Sequence, residues 1–102
     1  MSFLKSLFGG APSIDLSQVI KEGAFLVDVR TPGEFADGHV KGSVNIPLDR
    51  IQSQLISFKG KKNVIVFCRS GNRSSQAKSI LEANGIPAIN GGTWMQVGKY
   101  VS

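Results

Sequence analysis

The segment from Asn63 to Ser74 limits the possible folds more than any other. Val64-Ile65-Val66-Phe67 is an unbroken apolar run rich in β-branched residues, the pattern of a strand covered on both faces. Cys68-Arg69-Ser70-Gly71-Asn72-Arg73-Ser74 follows without a gap, and Ala77, Ile80 and Leu81 then mark one face of a helix that stops at Asn84-Gly85-Ile86-Pro87. The order is strand, tight loop, helix.

This order has a chemical consequence for Cys68. The first backbone N–H groups of a helix have no partner inside it and converge on whatever lies at its N-terminus. Together with Arg69 and Arg73 they favour a thiolate over a thiol. A lone cysteine in a small domain is ordinarily a buried small hydrophobe. A filler cysteine, however, has no need of a Gly-bearing loop, two arginines and a helix start directly after it. Cys68 is therefore the candidate nucleophile.

A chain of 102 residues suits one domain with one sheet and a few helices. The division expected is a short amphipathic segment at 1–12 followed by a single domain at 13–102. Twelve basic and seven acidic residues give a net charge of +5, which favours anionic partners in general. No basic stripe interleaved with aromatics occurs, so nucleic acid is not an expected partner. A single cysteine forms no internal disulfide, which fits a reducing, cytoplasmic setting. One cysteine and one histidine make none of the usual metal-ligand spacings, and no metal or cofactor is expected.

Phe3, Leu4, Leu7 and Phe8 share one face of a short helical pattern that Gly9-Gly10-Ala11-Pro12 breaks. Such a patch packs on the domain or on a second copy, with a weak surface anchor as the alternative; it is too short for membrane insertion. Ser13 or Asp15 can cap a helix carrying Leu16, Val19 and Ile20, with Gly23 as its stop. Phe25-Leu26-Val27-Asp28-Val29 reads as a second buried strand. Thr31-Pro32-Gly33-Glu34 is a capping box, which explains Glu34 without catalysis. Asp28 and Arg30 lie at a strand end and are expected to pair with each other or with Glu34, with contact to a ligand as the alternative.

Val44-Asn45-Ile46 is a short strand stopped by Pro47, and Leu48, Ile51, Leu55 and Phe58 return to helical spacing. After the central strand and its helix, Pro87 to Ile89 forms a last strand that ends in an Asn90-Gly91-Gly92 turn. Thr93 caps a terminal helix carrying Trp94 and Val97. Strands alternating with helices predict an α/β domain, a mainly parallel central sheet with helices on both faces. Ligands of such sheets bind at the carboxyl ends of the strands, where Cys68, Arg30 and Gly91-Gly92 fall.

Three blocks in this order resemble the single-domain rhodaneses, a family of sulfurtransferases. They are Val27-Asp28-Val29-Arg30 with Glu34-Phe35, Gly38-His39-Val40 through Gly42-Ser43-Val44-Asn45-Ile46-Pro47, and Cys68 to Ser74 with Gly91-Gly92 and Trp94 downstream. The resemblance implies a rhodanese-like fold and a two-step reaction in which Cys68 takes a sulfur atom from a small anionic donor such as thiosulfate and passes it to a thiol or protein acceptor. It also implies that the N–H groups of residues 69 to 73 surround the persulfide. Gly71 then lets the backbone turn inward, Arg69 or Arg73 meets the donor, and the Ser70 and Ser74 hydroxyls add hydrogen bonds, within a loop that includes Asn72. Arg73 is as much a loop-closing residue as a substrate contact in this picture.

Sulfur transfer of this kind needs charge stabilisation and no proton-abstracting base, which accounts for the lack of a Cys-His arrangement. Cysteine-dependent phosphatases, some of which share the rhodanese-like fold, place five residues between cysteine and arginine; here Arg69, Ser70, Gly71 and Asn72 make four. A smaller ring suits one sulfur atom. A persulfide carrier or interaction module, loaded by a partner protein and slow with free thiosulfate, is the competing function. His39, between glycine-bearing turns, is expected to bond backbone, and Phe35 and Trp94 to serve the core.

Overall fold

The computed structural model describes residues 14–101; the expected 1–12 segment and its apolar patch lie outside them. The elements run in the order α1 (Leu16–Glu22), β1 (Phe25–Asp28), α2 (Pro32–Ala36), β2 (Val44–Asn45), two short 3₁₀ turns (Leu48–Arg50 and Gln52–Phe58), β3 (Val64–Cys68), α3 (Asn72–Ala83), β4 (Ala88–Thr93) and α4 (Trp94–Gly98). The strands form one sheet in the order β2-β1-β3-β4, every pair parallel. All of β3 is buried, as its apolar run requires.

Alternation along β3 builds a core on each face. Val64, Val66 and Cys68 meet Ala77 and Leu81 of α3 and Ile51 and Phe58 of the 3₁₀ segment. Ile65 and Phe67 meet Val97 of α4, with Leu16, Val19 and Ile20 of α1 packed against them. Fully burying one such aliphatic or aromatic side chain stabilises the fold by roughly 1.5–3 kcal/mol. The α/β architecture with helices on both faces is therefore the observed one.

Local signals placed the helix starts well. Asp15 accepts from the Gln18 N–H at the head of α1, and Gly23 closes that helix with a φ of 109°. Thr31 and Glu34 form the reciprocal capping box, with Pro32 in the first turn of α2. Thr93 accepts from the Gln96 N–H and caps α4.

Two elements depart from expectation. Residues 48–58 form 3₁₀ turns and no α-helix, with a break at Gln54 (φ −120°, ψ 30°). The apolar spacing explains it. Leu48 to Ile51 and Leu55 to Phe58 are three-residue steps, which a 3₁₀ turn keeps on one face, and the break at Gln54 absorbs the four-residue step from Ile51 to Leu55.

The second departure is β4, which continues through the supposed turn to Thr93. Val66 pairs with Asn90 and Phe67 with Gly92, so Gly91 is the extra residue of a bulge. A Cβ on Gly91 would stand 2.9 Å from a methyl group of Ile65 and 2.9 Å from one of Val97, and Gly92 has a φ of 83°. The two glycines permit a strand to pass where a turn was expected.

Candidate active site

Cys68 is the last residue of β3, and the loop after it folds back over its sulfur. Gly71, with a φ of 97°, is in the left-handed conformation and immediately precedes α3. This turn aims backbone at the sulfur: the Gly71 N–H donates to Sγ at 3.0 Å and the Ser74 N–H at 3.4 Å, with the Ser74 hydroxyl oxygen also 3.4 Å away. Cys68 has no solvent exposure.

Burial alone pushes the Cys68 thiol up. Hydrogen bonds from the Ser74 hydroxyl and from the N–H groups of Ser74, Gly71 and Ser70 outweigh it, so the thiol ionises below its ordinary value of 9.0. Of the N–H groups expected from residues 69 to 73, those of Ser70 and Gly71 bond the sulfur, and Ser74, outside that span, adds its N–H and hydroxyl. Such a ring of donors suits an anionic sulfur, and its dipoles are fixed in place by the fold.

The two arginines of the loop part company. Arg73 forms a two-pronged ion pair with Glu34 of α2, at 2.7 and 3.0 Å, which ties the loop to the element after β1. Arg69 is exposed and has no ion-pair partner among the described residues. Asn72 is exposed at the first turn of α3, and Ser70 is exposed beside Arg69.

Glu34 therefore does more than cap a helix. The Arg73 guanidinium, followed by the Thr31 N–H, holds its carboxyl down to about 2 from an ordinary 4.5. A depressed carboxylate contributes stability that is present above the unfolded value and is lost as pH falls through the folded one. Glu34→Gln is expected to melt a few degrees below the wild type at neutral pH, with the difference closing between about pH 4.5 and 2. The pair is partly solvated, which limits its contribution to about 1 kcal/mol. Thermal melts across that pH range check it; a gap that persists at pH 2 would assign the loss to the capping box alone.

Asp28 and Arg30 pair with each other. Both are buried, the Arg30 Nε and Nη2 donate to the carboxylate at 2.7–2.9 Å, and Nη2 also donates to the Gly38 carbonyl at 2.7 Å. The guanidinium lies 4.4 Å from the centre of the Trp94 ring. These contacts engage Arg30 in holding the loop before β2 and the start of α4. His39 Nδ1 is 2.8 Å from the Phe35 carbonyl, which can only accept, so Nδ1 carries the proton; its ring stacks on Phe35 at 3.8 Å.

One residue of the site was not among the expected ones. Asn90, at the β4 bulge, accepts from the Ser74 hydroxyl at 2.7 Å and donates to the Gly71 carbonyl at 3.2 Å. The Asn-Gly-Gly sequence reads as a turn, and only the bulge register reveals that its first residue faces the loop. Among the described residues no three His, Cys, Asp or Glu side chains come together as metal ligands. No helix among them is long and apolar enough to cross a membrane.

Comparison with known proteins decides the family. A profile of the Rhodanese-like domain matches residues 14–93. The chain belongs to the rhodanese-like family. It is 39% identical over 61 residues to a thiosulfate sulfurtransferase of Escherichia coli, covering 58% of this chain and 59% of that protein. A sulfurtransferase of Allochromatium vinosum is 36% identical over 64 residues, 63% of this chain and 60% of that one. The first three curated relatives are thus matched over only 52–60% of their own length. Among solved structures, a rhodanese from E. coli superposes with a TM-score of 0.66 at 34% identity, covering 72% of this chain and 91% of that one. A human single-domain sulfurtransferase does so with a TM-score of 0.69 at 27% identity, covering 91% and 100%.

Proposed function

We propose that this rhodanese-like domain is a sulfurtransferase that moves a sulfane sulfur from thiosulfate or a related small anionic donor to a thiol or protein acceptor through a persulfide on Cys68. The observation that carries the reading is the donor ring on Sγ, in which backbone N–H groups and a hydroxyl close on one sulfur atom. Relatives named as thiosulfate sulfurtransferases support the donor class.

The chemistry follows from the ring. Cys68 thiolate attacks the outer sulfur of thiosulfate, a new S–S bond forms, and the old one breaks with its electron pair leaving on sulfite. The sulfur moves at constant redox balance, so no external oxidant takes part. Negative charge passes to the outer sulfur of the persulfide, and a nucleophilic acceptor then removes that atom and returns the thiolate. Charge is stabilised at each stage by donors already in place, and proton abstraction has no role.

Donor binding falls to Arg69, because Arg73 is occupied by Glu34. Arg69→Ala is expected to raise the donor KM roughly threefold to tenfold, the effect of about 1 kcal/mol from a solvated charge, with the melting temperature unchanged. An unchanged KM in steady-state assays with thiosulfate would remove Arg69 from donor binding.

The lack of exposure at Cys68 favours one second reading, a persulfide carrier whose loop is opened and loaded by a partner protein. Intact mass before and after thiosulfate separates the two. A gain of one sulfur atom, removed by cyanide, is the result expected of the enzyme; no gain from thiosulfate together with a gain from a protein persulfide identifies the carrier. No gain from either rejects both.

A further inference from the structure

Asn90 lies opposite Val66, on the sheet face that also carries Cys68. Its amide has a single workable orientation. Oδ1 accepts from the Gly92 N–H at 2.9 Å and Nδ2 donates to the Gly71 carbonyl at 3.2 Å. A flipped amide would set donor against donor and acceptor against acceptor. The atom turned toward Ser74 is therefore an oxygen, which can only accept, and the 2.7 Å contact needs the Ser74 hydroxyl to donate.

Ser74 is buried, and the same hydroxyl oxygen lies 3.4 Å from Cys68 Sγ and 3.1 Å from the Gly71 carbonyl. It has one proton to place. While that proton is on Asn90, Ser74 offers the sulfur a lone pair, which suits a thiol donating its S–H. A thiolate needs the proton itself, turned away from Asn90.

We propose that Asn90 is a positioning residue for the Cys68 nucleophile: it holds the Ser74 hydroxyl proton when the sulfur is neutral and yields it when the sulfur carries charge. The proposal rests on the sulfurtransferase reading for its use in catalysis. In that cycle the thiol proton first leaves to water, and the Ser74 hydroxyl turns to the thiolate. In the persulfide the charge lies on the outer sulfur, the inner sulfur is neutral, and the hydroxyl returns to Asn90. When the acceptor takes the outer sulfur, the inner one leaves as thiolate and the hydroxyl turns back. Ser74 keeps its own proton throughout; only its direction changes.

None of the test variants alters the other charged side chains around Cys68. They are Arg69 in the loop, Arg73 of α3 with Glu34 of α2 behind it, and the Asp28–Arg30 pair at the end of β1. The apparent pKa of Cys68 is read from the pH dependence of its alkylation by iodoacetamide, followed by intact mass, in the full chain. Asn90→Ala removes the nearer of the two competing acceptors, leaving the Gly71 carbonyl at 3.1 Å, and is expected to lower that value by roughly half a unit. In a Ser74→Ala background the same change is expected to shift nothing, because the coupling runs through the hydroxyl.

A residue that only braces the loop would shift the value equally in both backgrounds, or in neither, and either result overturns the proposal. Should Asn90→Ala fail to fold, Asn90→Asp serves instead. Its charge raises the value in both backgrounds, and the rise is larger where Ser74 is present; equal rises overturn the proposal. Persulfide formation by the wild type is scored separately. Coupling without persulfide rejects the sulfurtransferase reading and upholds the Asn90–Ser74 linkage, whereas persulfide without coupling rejects the linkage alone.

Discussion

Cys68→Ser is expected to leave the fold in place and to reduce sulfur transfer more than about a thousandfold. The two side chains differ little in size, and a serine oxygen can still accept from the Gly71 and Ser74 N–H groups that now close on Sγ. The cradle therefore keeps its hydrogen bonds, and the melting temperature moves little. Reactivity does not survive. A serine hydroxyl stays protonated where the thiol ionises, and oxygen lacks the nucleophilicity of sulfur toward a sulfane sulfur. Turnover with thiosulfate and cyanide, measured beside a thermal melt, checks both halves. Full sulfur transfer by the folded variant would exclude Cys68 as the persulfide-bearing atom and, with it, both the enzyme and the carrier readings.

The parts of this molecule that were legible in the sequence are those determined by near neighbours. Val64 to Phe67 could only be a strand covered on both faces, and it is. Thr31 and Glu34 announced a helix start because a capping box closes over three residues. Cys68 stood out because strand end, glycine and helix start were contiguous, and the bonds from Gly71 and Ser74 bring that reading into three dimensions. What escaped was set by distant partners. Glu34 and Arg73 are 39 residues apart in sequence, and nothing local tells a capping glutamate that its second oxygen meets a loop arginine. Asn90 escaped for a related reason. Its glycines spell a turn, and only packing against Ile65 and Val97 makes them a bulge that keeps β4 in the sheet.

Asp28→Asn is expected to cost about 3–5 kcal/mol, a large share of what holds a domain of this size together. The carboxylate is fully buried and accepts four hydrogen bonds from Arg30, three from the guanidinium and one from its backbone N–H, at 2.7–2.9 Å. An asparagine keeps the volume and removes the charge, so the buried guanidinium loses its counter-ion and meets an amide that cannot satisfy it from both sides. The melting temperature should fall by more than about 10 °C. Arg30 also holds the Gly38 carbonyl and the Trp94 ring, so the loosening should spread to the loop ahead of β2 and to the start of α4. Adding Arg30→Met removes the stranded charge and is expected to recover part of the loss, since an apolar side chain suits a dry site better than an uncompensated ion. Denaturant melts of the wild type, the two single variants and the double variant measure that coupling. If the double variant is no more stable than Asp28→Asn, the pair's value lies in the Gly38 and Trp94 contacts of Arg30 and not in the neutralisation of a buried charge.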